Sequence, residues 1–249
     1  ILNCEKIDLY IDFEKEFLPS DLKKLKKLIK RRLKKEPIQY IIGKTSFYGR
    51  DFNVDKNVLI PRPETEIIIN AAIDFLSTKK NPNIIDIGTG SGCIGITLAK
   101  EVPSSHVIAI DYSESVLNIA RKNAKIIGVK NIEFVKLDFL KDNFNYFADL
   151  IVSNPPYIPN KEMSSLMIDV KEYEPHVALT DKMDGLEFYR LFSVKLNDII
   201  NDEGALIVEV GNGSHPLKVK KLFMELGHDK IEMIKDYNRD ARVLKVLKG

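Results

Sequence analysis

A short β-branched segment, Asn83–Ile87, runs straight into Gly88-Thr89-Gly90-Ser91-Gly92, and helical periodicity resumes at once behind it. A strand, a glycine turn and a helix in immediate succession belong at the carboxyl edge of a parallel sheet. Glycines there let the backbone turn tightly and approach a ligand. The helix N-terminus behind them presents unpaired N–H groups. The rest of the chain continues the alternation. Strands are predicted at His106–Ile110, Ile132–Leu137, Asp149–Ser153 and Ala205–Val210, with helices near Glu114–Ile127 and Leu186–Ile200. A helix at Leu217–Leu226 and two strands, Ile231–Ile234 and Arg242–Val246, end the chain, the last two close enough to pair antiparallel. Such alternation predicts an α/β fold, a mostly parallel sheet with helices on both faces.

The first third reads differently. Residues 23–35, KKLKKLIKRRLKK, hold nine basic residues and no acid, so the rest of the chain carries −7 against a total of +2. Leu22, Leu25, Leu28, Ile29 and Leu33 recur at helical spacing. Ser20 and Asp21 are candidate N-caps, and Pro37 is a stop. This basic helix reads first as a solvated face whose leucine stripe packs on the rest of the protein. It reads second as a docking surface for RNA, a ribosome-associated partner or an acidic protein. It has no Trp or Phe to sit at a membrane interface. Alternating aromatic and β-branched residues around Gly49-Arg50-Asp51 predict a hairpin. Pro61-Arg62-Pro63 breaks the chain, and residues 64–77 have helical periodicity with acids in the first turn.

Composition excludes several classes. No apolar run approaches the ~18 residues of a membrane span, and the acidic N-terminus lacks the pattern of a signal peptide. The absence of an initiating methionine reads as a fragment or a processed form. Two cysteines, Cys4 and Cys93, cannot build a disulfide framework, and the four histidines form no zinc-like cluster. A reducing, cytoplasmic setting and no metal are expected. Cys93 follows the glycine turn near a helix N-terminus, where a thiol pKa can fall; a small buried packing residue is the plainer reading.

Asp111 ends the second strand, 21 residues after Gly90, where a carboxylate accepts hydrogen bonds from ribose hydroxyls. A nucleoside-containing cofactor follows. Gly90 to Gly95 spells G-x-G-x-x-G, the dinucleotide fingerprint, which is weak alone. Asp86, four residues before Gly90, favours S-adenosylmethionine, because a carboxylate suits an ammonium and a sulfonium and repels a pyrophosphate. After the strand ADLIVS stands Asn154-Pro155-Pro156-Tyr157. Two prolines fix φ and carry no N–H. The Asn154 side-chain oxygen and the Pro155 carbonyl can then accept both hydrogens of a planar NH2 group, with Tyr157 as a flat wall beside it. The alternative is a plain Pro-rich turn closing a strand.

Together, DIGTGSG, the strand-end Asp111 and NPPY resemble class I S-adenosylmethionine-dependent N-methyltransferases. More closely, the chain resembles the release-factor glutamine methyltransferases (the HemK/PrmC family) from about residue 31 to 246. The resemblance includes EPIQYIIGKTSFYG at 36–49, VLIPRPETE at 58–66, YEPHVAL at 173–179, DGLEFYR at 184–190 and RDARVL at 239–244. It departs after EVG at 209–211, where Asn212-Gly213-Ser214-His215 stands in place of the family's glutamine.

The resemblance implies a Rossmann-like, seven-stranded, mostly parallel sheet with helices on both faces, preceded by a short helical segment and a β-hairpin. It implies three parts: 1–44, a partial helical substrate-docking domain; 45–62, a hairpin linker; and 63–249, the methyltransferase domain. Asp86, Gly88, Thr89, Gly90, Ser91 and Gly92 would hold the methionine part of S-adenosylmethionine, and Asp111 the ribose. Asp138 and Phe139 would contact adenine, unless Phe139 is simply core. Asn154, Pro155, Pro156 and Tyr157 would hold the substrate amide, with Arg62, Glu64 and Glu66 near the mouth of the site. The implied reaction methylates N5 of the glutamine in the Gly-Gly-Gln loop of peptide chain release factors, leaving S-adenosylhomocysteine. The implied enzyme is a monomer with no stable nucleic-acid partner. The alternative is an N6-adenine DNA or RNA methyltransferase, since NPPY also suits adenine's NH2 group.

Overall fold

A computed structural model describes residues 1, 7–14, 16 and 18–248; Cys4 lies outside them. In chain order the elements are α1 (Asp8–Ile11), α2 (Pro19–Leu33), α3 (Ile38–Ile42), β1 (Lys44–Phe47), β2 (Arg50–Asn53) and α4 (Glu66–Leu76). Then follow β3 (Asn83–Ile87), α5 (Cys93–Glu101), β4 (His106–Asp111), α6 (Glu114–Ile127), β5 (Ile132–Lys136) and β6 (Ala148–Ser153). The chain closes with α7 (Ile168–Tyr173), α8 (Glu187–Ile199), β7 (Ile200–Glu209), α9 (His215–Glu225), β8 (Ile231–Lys235) and β9 (Ala241–Leu247).

The seven-stranded sheet has the order β5-β4-β3-β6-β7-β9-β8. The pairings among β5, β4, β3, β6 and β7 are parallel. β9 runs antiparallel to both β7 and β8. The expected α/β architecture is therefore the observed one. From β3 the chain moves outward through β4 to β5, then returns to place β6 on β3's other side. The loops after β3 and β6 thus emerge side by side at a topological switch point, where ligands bind in open α/β sheets.

Side-chain alternation along the central strands builds two cores. Ile84, Val107, Leu150, Val152 and Ile207 pack with helices α4 and α5 and with Phe47 and Phe52 of the hairpin. Ile85, Ile87, Ile110, Ile151, Leu206 and Val208 pack on the opposite face with Tyr189, Phe192, Leu196 and Phe223. β7 begins earlier than expected. Ile200 pairs with Ala148, the register then shifts, and pairing resumes at Ala205 opposite Leu150. Glu203, at φ 57°, and Gly204 carry this bulge; a Cβ on Gly204 would fall 2.8 Å from the Asn201 carbonyl oxygen.

The hairpin turns on Tyr48 and Gly49, both at positive φ, a two-residue turn that matches strand twist. This is one residue earlier than the expected Gly49-Arg50-Asp51. The hairpin is tied to the cofactor edge by one buried side chain. Asn123 of α6 accepts from the Asn53 N–H at 2.8 Å and donates to the Asn53 carbonyl at 3.0 Å and the Ser91 carbonyl at 2.8 Å.

α2 corrects three expectations. Its N-cap is Leu18 with Pro19 in the first turn, and neither Ser20 nor Asp21 caps it; Asp21 pairs with Lys24 at 3.1 Å. Proline's fixed φ starts the helix instead. The helix ends at Leu33, and Lys35 at φ 70° breaks it before Pro37 is reached. The leucine stripe is also only partly covered, with Leu25 and Leu28 half-buried and Leu22, Ile29 and Leu33 exposed. No residue of α2 is buried, and Leu33 is 75% exposed.

Replacing Asn123 with Leu strands the Asn53 amide and the Ser91 carbonyl without their partners. It is expected to cost about 3 kcal/mol of stability, since each buried polar group left unpaired costs roughly 1–3 kcal/mol. Urea unfolding of the variant against the parent chain measures it.

Candidate active site

The glycine turn is held from below by Asp86. This carboxylate is wholly buried, and its Oδ2 accepts from the Thr89 hydroxyl at 2.6 Å and the Gly95 N–H at 2.9 Å. Gly88, Gly90 and Gly92 all sit at positive φ, which L side chains seldom adopt. The third glycine of the apparent dinucleotide fingerprint has a different task. A Cβ on Gly95 would fall 2.9 Å from Asp86 Oδ2, so Gly95 is small to admit the carboxylate. Burial pushes the Asp86 acid up to about 6. Its Oδ1 has no hydrogen-bond partner. An unneutralised carboxylate beneath the turn fits a cationic ligand above it and opposes a pyrophosphate.

Beside the turn, Asp111 closes β4. Its Oδ2 accepts from the Gly90 N–H at 3.2 Å and its Oδ1 from the Ser113 N–H at 3.1 Å. Burial raises its pKa, against the pull of these backbone donors. Asp111 borders a cleft of about 1000 Å³, counting the space open at its mouth; Asp86, an expected cofactor residue, is not part of its lining and acts from beneath the turn. Gly88 to Ser91, Asp111, Asp138, Phe139 and Asn154 to Pro156 line the cleft, so most of the expected cofactor residues converge there. Gly92 is absent from the lining; a Cβ on it would fall 3.2 Å from Ala120 Cβ, so it serves the packing of α5 on α6. Ile87, Ile110, Leu137, Val116 and Phe188 add an apolar wall. Phe139 combines the two roles weighed for it. It borders the cleft, yet it is 3% exposed and packs on Phe192 with ring centroids 4.8 Å apart. Asp138 pairs with Lys141 at 2.9 Å. A cationic sulfonium and amine, a ribose and a flat base match this set of charges, acceptors and apolar walls.

NPPY leaves β6 directly opposite the glycine turn. Ile87 and Ser153 are register partners, and the Ser153 hydroxyl donates to the Ile87 carbonyl at 2.7 Å. Asn154, Pro155 and Pro156 face the cleft. Tyr157 is not part of its lining. Its hydroxyl donates to Glu209 Oε1 at 3.1 Å, and its ring lies against Gly211 and His215. The tyrosine braces the tetrapeptide from behind, which differs from the flat wall expected of it.

Glu209 and Thr65 were missed in the sequence. Glu209 is 2% exposed, its pKa is raised by burial, and its Oε2 accepts from the Thr65 hydroxyl at 2.6 Å. Thr65 in turn accepts from Asn154 Nδ2 at 3.2 Å. The available signal was an acid inside the apolar run ALIVEV. Arg62 and Glu66 of PRPETE also have defined partners. Arg62 forms an ion pair with Glu174, whose other oxygen accepts from the Ile60 N–H at 3.2 Å. Glu66 accepts from the Tyr48 N–H at 2.8 Å. In place of the family's glutamine region, His215 accepts from the Gly211 N–H and donates to the Gly185 carbonyl, both at 3.1 Å. Cys93 is buried and its thiol is pushed up to about 12, in keeping with a packing residue. Among the described residues no His, Cys, Asp and Glu cluster could hold a metal, and no helix is long and apolar enough to cross a membrane.

Comparison with known proteins agrees with this geometry. A family profile described as a methyltransferase domain matches residues 78–235, and one described as the PrmC N-terminal domain matches residues 1–43. The release factor glutamine methyltransferase of Fusobacterium nucleatum is 38% identical over 98% of this chain and 69% of its own length. That of Chlorobaculum tepidum is 37% identical over 98% of this chain and 85% of its own. A methyltransferase from Pyrococcus furiosus shares the fold at a TM-score of 0.58 and 20% identity, covering 82% of this chain and 91% of that one. With identity of this extent joined to a class I methyltransferase fold, the chain belongs to the release factor glutamine methyltransferase family.

Proposed function

We propose that this S-adenosylmethionine-dependent methyltransferase methylates the side-chain amide nitrogen of the glutamine in the Gly-Gly-Gln loop of peptide chain release factors. The observation that carries the reading is the convergence of the glycine turn and NPPY on one cleft from paired ends of adjacent strands. S-adenosylmethionine, when bound, supplies a methyl group on a sulfonium that is already a good leaving group. The turn from Gly88 to Gly92 would hold its methionine part, Asp111 its ribose hydroxyls, and Asp138 with Phe139 its base.

The protein's own contribution is to place the amide. An amide nitrogen is a poor nucleophile because its lone pair is delocalised. Asn154 Oδ1 and the Pro155 carbonyl would accept its two N–H groups, which aligns the nitrogen and excludes water. Holding reactants in near-attack geometry contributes on the order of 7–11 kcal/mol. No covalent intermediate is needed, and the amide proton leaves to solvent once the nitrogen is methylated. We assign residues 1–44 to docking the protein substrate, 45–62 to a hairpin linker and 63–249 to catalysis. The profile match over residues 1–43 and the largely exposed face of α2 support the first assignment.

Labelled methyl transfer to a purified release factor tests the reading. Label is expected on the native factor and not on one whose loop glutamine is alanine. Equal label on both, or label only on DNA or RNA adenine, overturns it. Asn154→Ala is expected to lower kcat at least about 100-fold while S-adenosylhomocysteine affinity stays within about threefold, the pattern of a group used in the transition state.

Cofactor affinity carries a pH signature. Asp86 titrates near 6 and Asp111 above its ordinary value, so both lose negative charge as pH falls. A cationic ligand then loses its attraction. Calorimetry is expected to show S-adenosylmethionine binding several-fold weaker at pH 5 than at pH 7.5, with Asp86→Asn weakening it at pH 7.5 and flattening the dependence.

A further inference from the structure

Thr65 occupies the N-cap position of α4, where a threonine hydroxyl ordinarily accepts from a backbone N–H of the first turn. Here it makes no capping bond. Its single proton goes to Glu209 Oε2 at 2.6 Å. An ionised carboxylate can only accept, so the hydroxyl proton of Thr65 points at Glu209. Having spent its proton, the Thr65 oxygen can only accept from its other neighbour. That neighbour is the Asn154 side-chain amide, whose Nδ2 lies 3.2 Å away. A carbonyl oxygen facing Thr65 would meet a lone pair. The amide is therefore locked with its NH2 group toward Thr65.

Glu209 is itself held so that it cannot turn away. Tyr157 donates to its other oxygen at 3.1 Å, and the Tyr189 hydroxyl donates to its backbone carbonyl at 2.6 Å. Arg242, the nearby cation, is engaged with Asp236 at 3.0 Å. The acid is 2% exposed, a costly placement for a group with no task.

Resting on the proposed reaction, we infer that Glu209 is a positioning residue that acts through the Thr65 hydroxyl to present Asn154 Oδ1, and not its NH2 group, to the substrate nitrogen. A flipped Asn154 would aim N–H donors at the N–H groups of the substrate amide and reject it. Thr65 and Glu209 are 144 residues apart, and only the packing of α4's start against the end of β7 brings them together.

The test uses Thr65→Val, Glu209→Gln and the double variant in the full chain. Kinetics on a release factor at saturating S-adenosylmethionine separate kcat from KM. Calorimetry with S-adenosylhomocysteine reports the fold. Thr65→Val is expected to lower kcat about tenfold or more with S-adenosylhomocysteine affinity unchanged within about threefold. Because Glu209 acts through Thr65, the double variant is expected within about twofold of the slower single variant. Multiplied effects, or a kcat for Thr65→Val within about twofold of the parent chain, overturn the inference. The Asn154 side-chain NH2 resonances, assigned by their loss in Asn154→Asp, give a readout independent of substrate. They are expected to move in both single variants, and no movement in Glu209→Gln contradicts the relay. If the parent chain methylates no release factor, the substrate reading fails alone, and these resonances decide the positioning.

Discussion

The parallel pairing of β3 with β6 is the contact on which the site depends. Ile87 and Ser153 stand opposite each other in the ladder, and the next residue on each strand begins a functional loop. One loop carries glycines at positive φ; the other carries two prolines. The first is free to approach a ligand, and the second is rigid. Their separation is set by hydrogen-bonded strands and not by loop preference. The β3 switch point, with β4 and β5 on one side and β6 and β7 on the other, leaves the cleft open above both.

Buried acids surround that cleft. Asp86 is under the glycine turn, Asp111 beside it and Glu209 behind NPPY, and burial raises the pKa of each. Each is met by hydrogen-bond donors from the chain, and no described cation pairs closely with any of them. The arrangement leaves negative potential facing the space where a cation belongs. It also makes the loops mutually dependent, since the donors that satisfy these acids are the loop amides and hydroxyls themselves.

Much of this was legible in the sequence because it is local. The period of apolar residues located β3, α5, β4 and α6 to within a residue or so. Glycine and proline chemistry marked the two loops, and Asp111 followed from its place at a strand end. What escaped depends on distant contacts. Thr65 carried no signal of its own, and nothing near it in the chain points to a bond with Glu209. Tyr157 is the last residue of NPPY, but a buried acid on β7 holds it away from the cleft. The leucine pattern of α2 predicted a packed face; periodicity identifies a stripe without showing what covers it. The bulge before Ala205 is a matter of register against β6, which periodicity within one strand does not report.

The central claim is that the NPPY turn holds a carboxamide by both of its N–H groups, facing the cofactor cleft. A crystal structure with S-adenosylhomocysteine and a peptide carrying Gly-Gly-Gln tests it most directly. The account predicts the glutamine nitrogen within about 3.2 Å of both Asn154 Oδ1 and the Pro155 carbonyl, with Asn154 Nδ2 still on Thr65. A peptide bound with its glutamine elsewhere, or with Asn154 turned to present its NH2 group, would contradict the account.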